Sequence, residues 1–236
     1  MLRKAIIAAS FLALAGCASN TENAAADCAA DDAQRVIRGC SQIISAGRGT
    51  PAQLATAYFN RGIAYSETDE YAKAVADMTE AIKRVPNNAE AYYNRGLDHA
   101  VLRQNKRAVA DFSKAIQLNK NYAEAYNARG REFERLGQNR AALRDFSRAI
   151  ALLPNNNDAY NNRAWLYFKM GQPSKGLPDV NKALQLDAND EDYYRTRAHI
   201  LEAMGRKQAA IKDYRKVLQM DPGNQDAEAG LKRLRG

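Results

Sequence analysis

A five-residue pattern recurs along this chain at an interval that never changes. Tyr58-Phe-Asn-Arg-Gly62 is followed by Tyr92-Tyr-Asn-Arg-Gly96, Tyr126-Asn-Ala-Arg-Gly130, Tyr160-Asn-Asn-Arg-Ala164 and Tyr194-Arg-Thr-Arg-Ala198, each thirty-four residues after the last. A fixed period of this length predicts small supersecondary units, each unable to bury its apolar face alone and stable only when stacked on its neighbours. The period therefore overrides what 236 residues would otherwise suggest, one or two globular domains. A chain that is 46% hydrophobic with only six prolines is neither disordered nor collagenous. Its longest uncharged, mostly apolar run, the eleven residues Ala5 to Ala15, is shorter than the roughly 20 that cross a bilayer as a helix.

Counting units from Ala55, Ala89, Ala123, Asn157 and Glu191, small residues hold position 8 (Gly62, Gly96, Gly130, Ala164, Ala198) and position 20 (Ala74, Ala108, Ala142, Gly176, Ala210). Position 27 is Ala81, Ala115, Ala149 and Ala183, then Val217, and Pro86, Pro154 and Pro222 stand at position 32. Small side chains at these spacings let two antiparallel helices approach closely. Tyr at position 4 and bulky residues at positions 11 (Tyr65, His99, Phe133, Tyr167, Leu201) and 24 fill the space between them. This pattern resembles the tetratricopeptide repeat (TPR). The resemblance implies an all-α fold, an α-solenoid of five helix-turn-helix repeats at 55–88, 89–122, 123–156, 157–190 and 191–224. A capping helix is expected at each end, within 31–54 and over 225–236. Ser41-Gln-Ile-Ile44 echoes Thr79-Glu-Ala-Ile82, so about 31–46 reads as a lone second helix with Cys40 in the position-24 slot. In repeat four, Ser174 as N-cap would make Pro178 the fourth helical residue, where a missing N–H costs nothing.

The amino-terminal end reads as an address. Residues 1–16 have a basic start (Arg3, Lys4), an apolar stretch and small residues, the layout of a secretory signal peptide. Leu14-Ala15-Gly16-Cys17 resembles the lipobox of bacterial lipoproteins, which implies cleavage before Cys17 and lipid attachment to it; an ordinary signal with an incidental cysteine is the alternative. In that family an Asp after the cysteine commonly marks inner-membrane retention, and Ala18 points instead to the periplasmic face of the outer membrane. Cys28 and Cys40 remain as an even pair in an oxidising compartment, and a disulfide is the default reading. Two thiols with no histidine near in sequence fall short of the four ligands of a tetrahedral metal site. The polar stretch from 17 to 30 reads as lipidated cysteine and tether.

Recurrence separates architecture from site: what appears in every copy serves the stack, and a site for one partner should break the period. Arg61, Arg95, Arg129, Arg163 and Arg197 hold position 7, and Asp77, Asp111, Asp145, Asp179 and Asp213 hold position 23. Equal numbers of opposite charge at fixed spacing predict a ladder of ion pairs between helices. The TPR resemblance implies that positions 2, 5, 6, 9, 12 and 13 of the first helix line a concave peptide groove. Carried onto this chain, these are Asn60, Asn94 and Asn162 at position 6 as backbone-binding amides, with solvent-facing Asn as the alternative. Phe59, Ile63, Tyr93, Leu97 and Val101 would form an apolar stretch in repeats one and two. Arg131 marks a charged third repeat, and Trp165, Phe168 and Lys169 an aromatic fourth. The alternative for the apolar members is cover by another helix of the same chain.

No phosphate-cradling glycine loop, nucleophile elbow or paired-histidine metal helix occurs, so no catalytic residue, metal or cofactor is expected. The repeats and tail carry thirty basic against twenty-three acidic residues. Such a balance favours acidic partners or anionic envelope material; export argues against nucleic acid. Taken together, the resemblances imply a non-catalytic scaffold, similar in plan to outer-membrane TPR lipoproteins of the NlpI type, that binds envelope proteins or peptides in its groove. The alternatives are an assembly factor for outer-membrane proteins or secretins, and a peptidoglycan-binding or hydrolytic protein.

Overall fold

The computed structural model describes residues 18–235, within which there are thirteen helices and no strand. The predicted signal peptide and Cys17 lie outside the described residues. The architecture is the expected all-α helical-repeat fold, and it divides into two compact units that meet between Lys120 and Asn121.

The first unit contains α1 (Ala18–Cys28), α2 (Ala33–Ala46), α3 (Pro51–Glu67), α4 (Tyr71–Arg84), α5 (Ala89–Val101) and α6 (Asn105–Leu118). Pairs α3–α4 and α5–α6 are repeats one and two. Helix α3 starts where Thr50 and Gln53 form a capping box around Pro51, and α5 starts at an Asn88 whose side chain accepts from Ala91 N–H. The tether expected over 17–30 is corrected by the structure: Ala18–Cys28 is helical and packs on α2 as a first helix packs on its second. The lone capping helix is therefore half of a degenerate sixth repeat. Gly39 permits the close approach, since a Cβ there would come within 2.6 Å of the Ala24 carbonyl oxygen. Cys28 and Cys40, both fully buried, are joined by a disulfide with their Cα atoms 4.6 Å apart.

The second unit contains α7 (Ala123–Arg135), α8 (Asn139–Leu152), α9 (Asn157–Lys169), α10 (Pro173–Leu186), α11 (Glu191–Ala203), α12 (Lys207–Met220) and the terminal α13 (Gln225–Arg235). Phe146, Val180 and Tyr214 fill the position-24 slots of its three repeats with no exposed surface. Ala227 and Leu231 of α13 close the last of these cores, with Gly230 directly against the Tyr214 ring. Helix α10 begins two residues earlier than expected, with Gln172 as cap and Pro173 as its first residue, so Pro178 is its sixth. The carbonyl of exposed Ser174 loses its intrahelical partner and can bond water instead. Gly176 replaces the usual position-20 Ala because a Cβ would meet the Ala164 carbonyl oxygen at 2.6 Å.

Each inter-helix turn within a repeat needs one left-handed residue at position 15. Gly137, Gly171 and Gly205 supply it at φ near +72°, whereas repeats one and two force Asp69 (φ 60°) and Arg103 (φ 58°) into the same conformation. For Arg103, exposed and outside any ion pair among the described residues, that conformation costs about 1 kcal/mol that glycine would avoid. Arg103→Gly is expected to raise the thermal midpoint by a few degrees, and an unchanged or lowered midpoint in a calorimetric scan would contradict this.

Candidate protein-binding face

The recurring Arg and Asp form the predicted ladder. Each Arg meets its Asp through two parallel hydrogen bonds, Nε to Oδ2 and Nη2 to Oδ1, at 2.6–2.9 Å in all five repeats. The third nitrogen reaches the second helix of the preceding repeat: Arg61 Nη1 donates to Ser41, Arg95 to Thr79, Arg163 to Ser147 and Arg197 to Asn181, at 2.9–3.1 Å. One guanidinium thus clamps three helices. The aromatics at positions 4 and 11 flank it, with Tyr58, Tyr65, Tyr92, Tyr126, Phe133 and Tyr194 at 5.5–5.7 Å from the cation. The hydrogen bonds to Asp77, Asp179 and Asp213 raise the affinity of Arg61, Arg163 and Arg197 for their protons.

Removing the ladder from consideration leaves the first-helix surface. In the first unit the structure corrects four of the expected groove residues. Phe59 and Ile63 are 2% and 0% exposed, packed with Met78, Ile82 and Ala91, so α4 and α5 of the same chain cover them. Asn60 is buried and its Nδ2 donates to the Cys28 carbonyl at 3.1 Å. Asn94 is buried too. Position 6 reaches the preceding first helix at Asn60 and at Asn162, and Ala128 and Thr196 in the same position are buried as well. What remains accessible on α5 is Tyr93 and Leu97, half-buried, and Val101, one turn apart in succession. Val101 is the one large hydrophobic left exposed among the described residues, at 53%.

In the second unit the expected residues come together. Arg131 is exposed on α7, and Asn162 of α9 donates to Asn127 Oδ1 of α7 at 3.0 Å. Lys169 pairs with Glu134 at 3.0 Å, a second tie between the same two helices. Between these ties stand half-buried Trp165 and Phe168, ring centroids 5.2 Å apart. His199 of α11 sits 5.6 Å from both rings and is itself held. Its Nε2 lies 2.6 Å from Asp226 Oδ2 on α13 and its Nδ1 3.0 Å from the Tyr214 hydroxyl. That hydroxyl donates to Glu202, whose carboxylate accepts two hydrogen bonds from Arg233. The Arg233 guanidinium holds Glu202 below the ordinary carboxylate range, and burial pushes the Tyr214 hydroxyl well up. Helix α13 is thereby linked, through side chains it fixes, to the aromatic pair on α9. These contacts could not be read from the period, because acidic residues also stand at the equivalents of Asp226 (Asp158, Asp192) and Glu202 (Glu134), where among the described residues no histidine meets the aspartates and no arginine the glutamate.

The other histidine, His99, occupies the core slot expected of it. It is 7% exposed, with Nδ1 2.7 Å from Gln104 Oε1, and burial lowers its affinity for a proton. Among the described residues no group of His, Cys, Asp and Glu is arranged to hold a metal ion, and no helix is long and apolar enough to cross a membrane.

Profiles of the tetratricopeptide repeat match residues 55–88, 89–122, 158–190 and 191–224, and a further TPR repeat profile matches 130–171. Among solved structures, PilF of Pseudomonas aeruginosa is similar over 78% of this chain and 84% of its own, at 19% identity and a TM-score of 0.70. YrrB, described as a TPR protein with an unusual peptide-binding site, is similar over 82% of this chain and 97% of its own, at 20% identity and a TM-score of 0.64. At these identities the likeness speaks for the fold alone. A tetratricopeptide repeat protein from Parabacteroides merdae is 25% identical over 86% of this chain and 78% of its own, with a TM-score of 0.62. No match is found among curated proteins.

Proposed function

Because the chain belongs to the tetratricopeptide repeat family, a fold of protein-binding scaffolds, we propose that it is a lipid-anchored adaptor of the bacterial envelope that binds partner proteins or peptides on its first-helix face without catalysis. The observation that carries this reading is the Trp165–Phe168 pair: two half-buried aromatic rings, braced by His199 and bordered by Asn162 and Lys169, have the make-up of a binding hot spot. Tyr93, Leu97 and Val101 offer a second apolar strip in the first unit. The peptide-binding site named for YrrB is in keeping with such a role.

The anchor is supported by sequence: the lipobox-like Leu14-Ala15-Gly16-Cys17 after a basic and apolar leader. Helix α1 starts at Ala18, the residue that follows the cysteine of this motif in sequence. Several buried acyl chains at about 0.8 kcal/mol per methylene would make the attachment permanent.

Two arms test the proposal. The full chain should incorporate labelled palmitate and follow the membrane fraction, and Cys17→Ser should do neither. Affinity capture from detergent-solubilised membranes should recover a defined partner with wild type and at least about tenfold less with Tyr93→Ala/Trp165→Ala. Equal recovery by the double variant would sink the first-helix face as the binding surface, and label on Cys17→Ser would sink the anchor.

A further inference from the structure

The charge of the second unit is segregated between its first and second helices. On the second helices α8, α10 and α12 the only carboxylates are Asp145, Asp179 and Asp213, all buried and all bound in the ladder. The cations of the same helices point elsewhere. Arg140, Arg144 and Arg148 lie one turn apart along α8, all exposed. On α12, Lys212 and Arg215 are exposed and Lys216 half-buried, and α10 adds two lysines bonded only to glutamines. None of them forms an ion pair among the described residues. The three helices run side by side, because Arg163 joins Ser147 of α8 to Asp179 of α10, and Arg197 joins Asn181 of α10 to Asp213 of α12. The rows of positive charge therefore share one face. The Asp residues of the ladder take only the position-7 arginines. In the first unit α4 is different, balancing its Lys73, Lys83 and Arg84 with Glu70 and Glu80, whereas α6 carries Lys106, Arg107 and Lys114 with Asp111 as its one carboxylate.

We propose that the α8–α10–α12 face docks the protein on an anionic lipid surface. Uncompensated Lys and Arg on one side are drawn to anionic headgroups, and the attraction acts within a Debye length. The aromatics of these three helices, Phe146 and Tyr214, are buried, so the helices present no exposed ring to insert into a bilayer or to stack on a base. Adsorption on headgroups is what remains for such a surface. A depression of about 520 Å³ against α12 has Lys212, Arg215 and Lys216 in its lining beside the Arg197–Asp213 pair and Tyr194, and offers a lipid phosphate three cations not taken up by the ladder. Choosing a bilayer over a soluble polyanion rests on the lipid-anchor reading above.

The experiment uses the full chain carrying Cys17→Ser, so that acylation plays no part and the two readings fail separately. Co-sedimentation with vesicles of phosphatidylcholine containing an equal share of phosphatidylglycerol should show binding, lost on raising salt from about 0.05 to about 0.5 M. Vesicles of phosphatidylcholine alone should not bind. The charge reversal Arg144→Glu/Lys212→Glu/Arg215→Glu should weaken binding at least about a hundredfold, whereas Lys73→Glu/Lys83→Glu in the first unit should leave it unchanged. Binding that ignores lipid charge, salt or the triple reversal overturns the proposal. So does tighter binding to duplex DNA or to an acidic protein than to the anionic vesicles at the same salt.

Discussion

Arg163→Ala is expected to cost about 3 kcal/mol, which corresponds to a fall of roughly 6–12 °C in thermal midpoint. The loss comes from what is left behind. Asp179 is 8% exposed, and without the guanidinium its carboxylate is a buried charge whose two bidentate donors are gone. The variant also frees Ser147 on α8, so three helices lose one common clamp. Removing both charges tests the cause: Arg163→Leu/Asp179→Leu leaves no uncompensated ion and should recover most of the midpoint. Thermal unfolding of the two single variants and the double variant, followed by circular dichroism, measures this directly. A stable Arg163→Ala that has lost partner binding would make the ladder a ligand track instead.

The second large effect is local where the first is spread through the stack. Helices α1 and α2 make a repeat without a rung: counted in register with the others, Asn23 stands where the Arg would be and Gly39 where the Asp would be. The Cys28–Cys40 disulfide ties the two helices instead, together with an exposed ion pair in which Arg35 of α2 donates twice to Asp27 of α1 at 3.0 and 2.7 Å. A closed loop this short contributes about 3 kcal/mol. Helix α1 packs only on α2 and α3, so Cys28→Ala/Cys40→Ala is expected to release α1 and spare the rest. In hydrogen exchange the α1 amides should lose about a hundredfold of protection while those of α3 to α6 keep theirs. Asn60 would lose the Cys28 carbonyl it now holds. A concerted loss across the whole first unit would show that α1 is integral to it and not an appended brace.

The ladder was legible in the sequence because both partners recur without exception, and recurrence is a signal that needs no knowledge of the fold. The donors' third contact was not, because Ser41, Thr79, Ser147 and Asn181 share only a side-chain oxygen. Helix α1 was hidden by its own small polar residues: it has no aromatic at position 4 and is held by a covalent bond instead of by packing bulk. The binding face was half visible. Position 9 reads as groove in the family, yet Ile63 is interior while Trp165 is accessible; which neighbours cover a position depends on side chains in adjacent helices, not on its place in the period. His199 shows the converse. Its importance lies in a chain of single contacts running from α13 to α9, and no periodic pattern encodes a contact made once.

The three-helix grip of the position-7 arginine also bears on how such a chain can change length over evolutionary time. Arg61, Arg95, Arg163 and Arg197 each look backward to a hydroxyl or amide oxygen and forward to a carboxylate sixteen residues on, and hydroxyl and amide serve interchangeably. Gain or loss of one whole thirty-four-residue unit presents an arginine with an equivalent pair of partners, whereas an insertion between positions 7 and 23 separates it from its carboxylate. The disulfide-bonded amino-terminal pair and α13 stand outside this exchange, since neither carries the Arg and Asp of a rung. Lineages of this protein would therefore vary by counting repeats between two fixed ends.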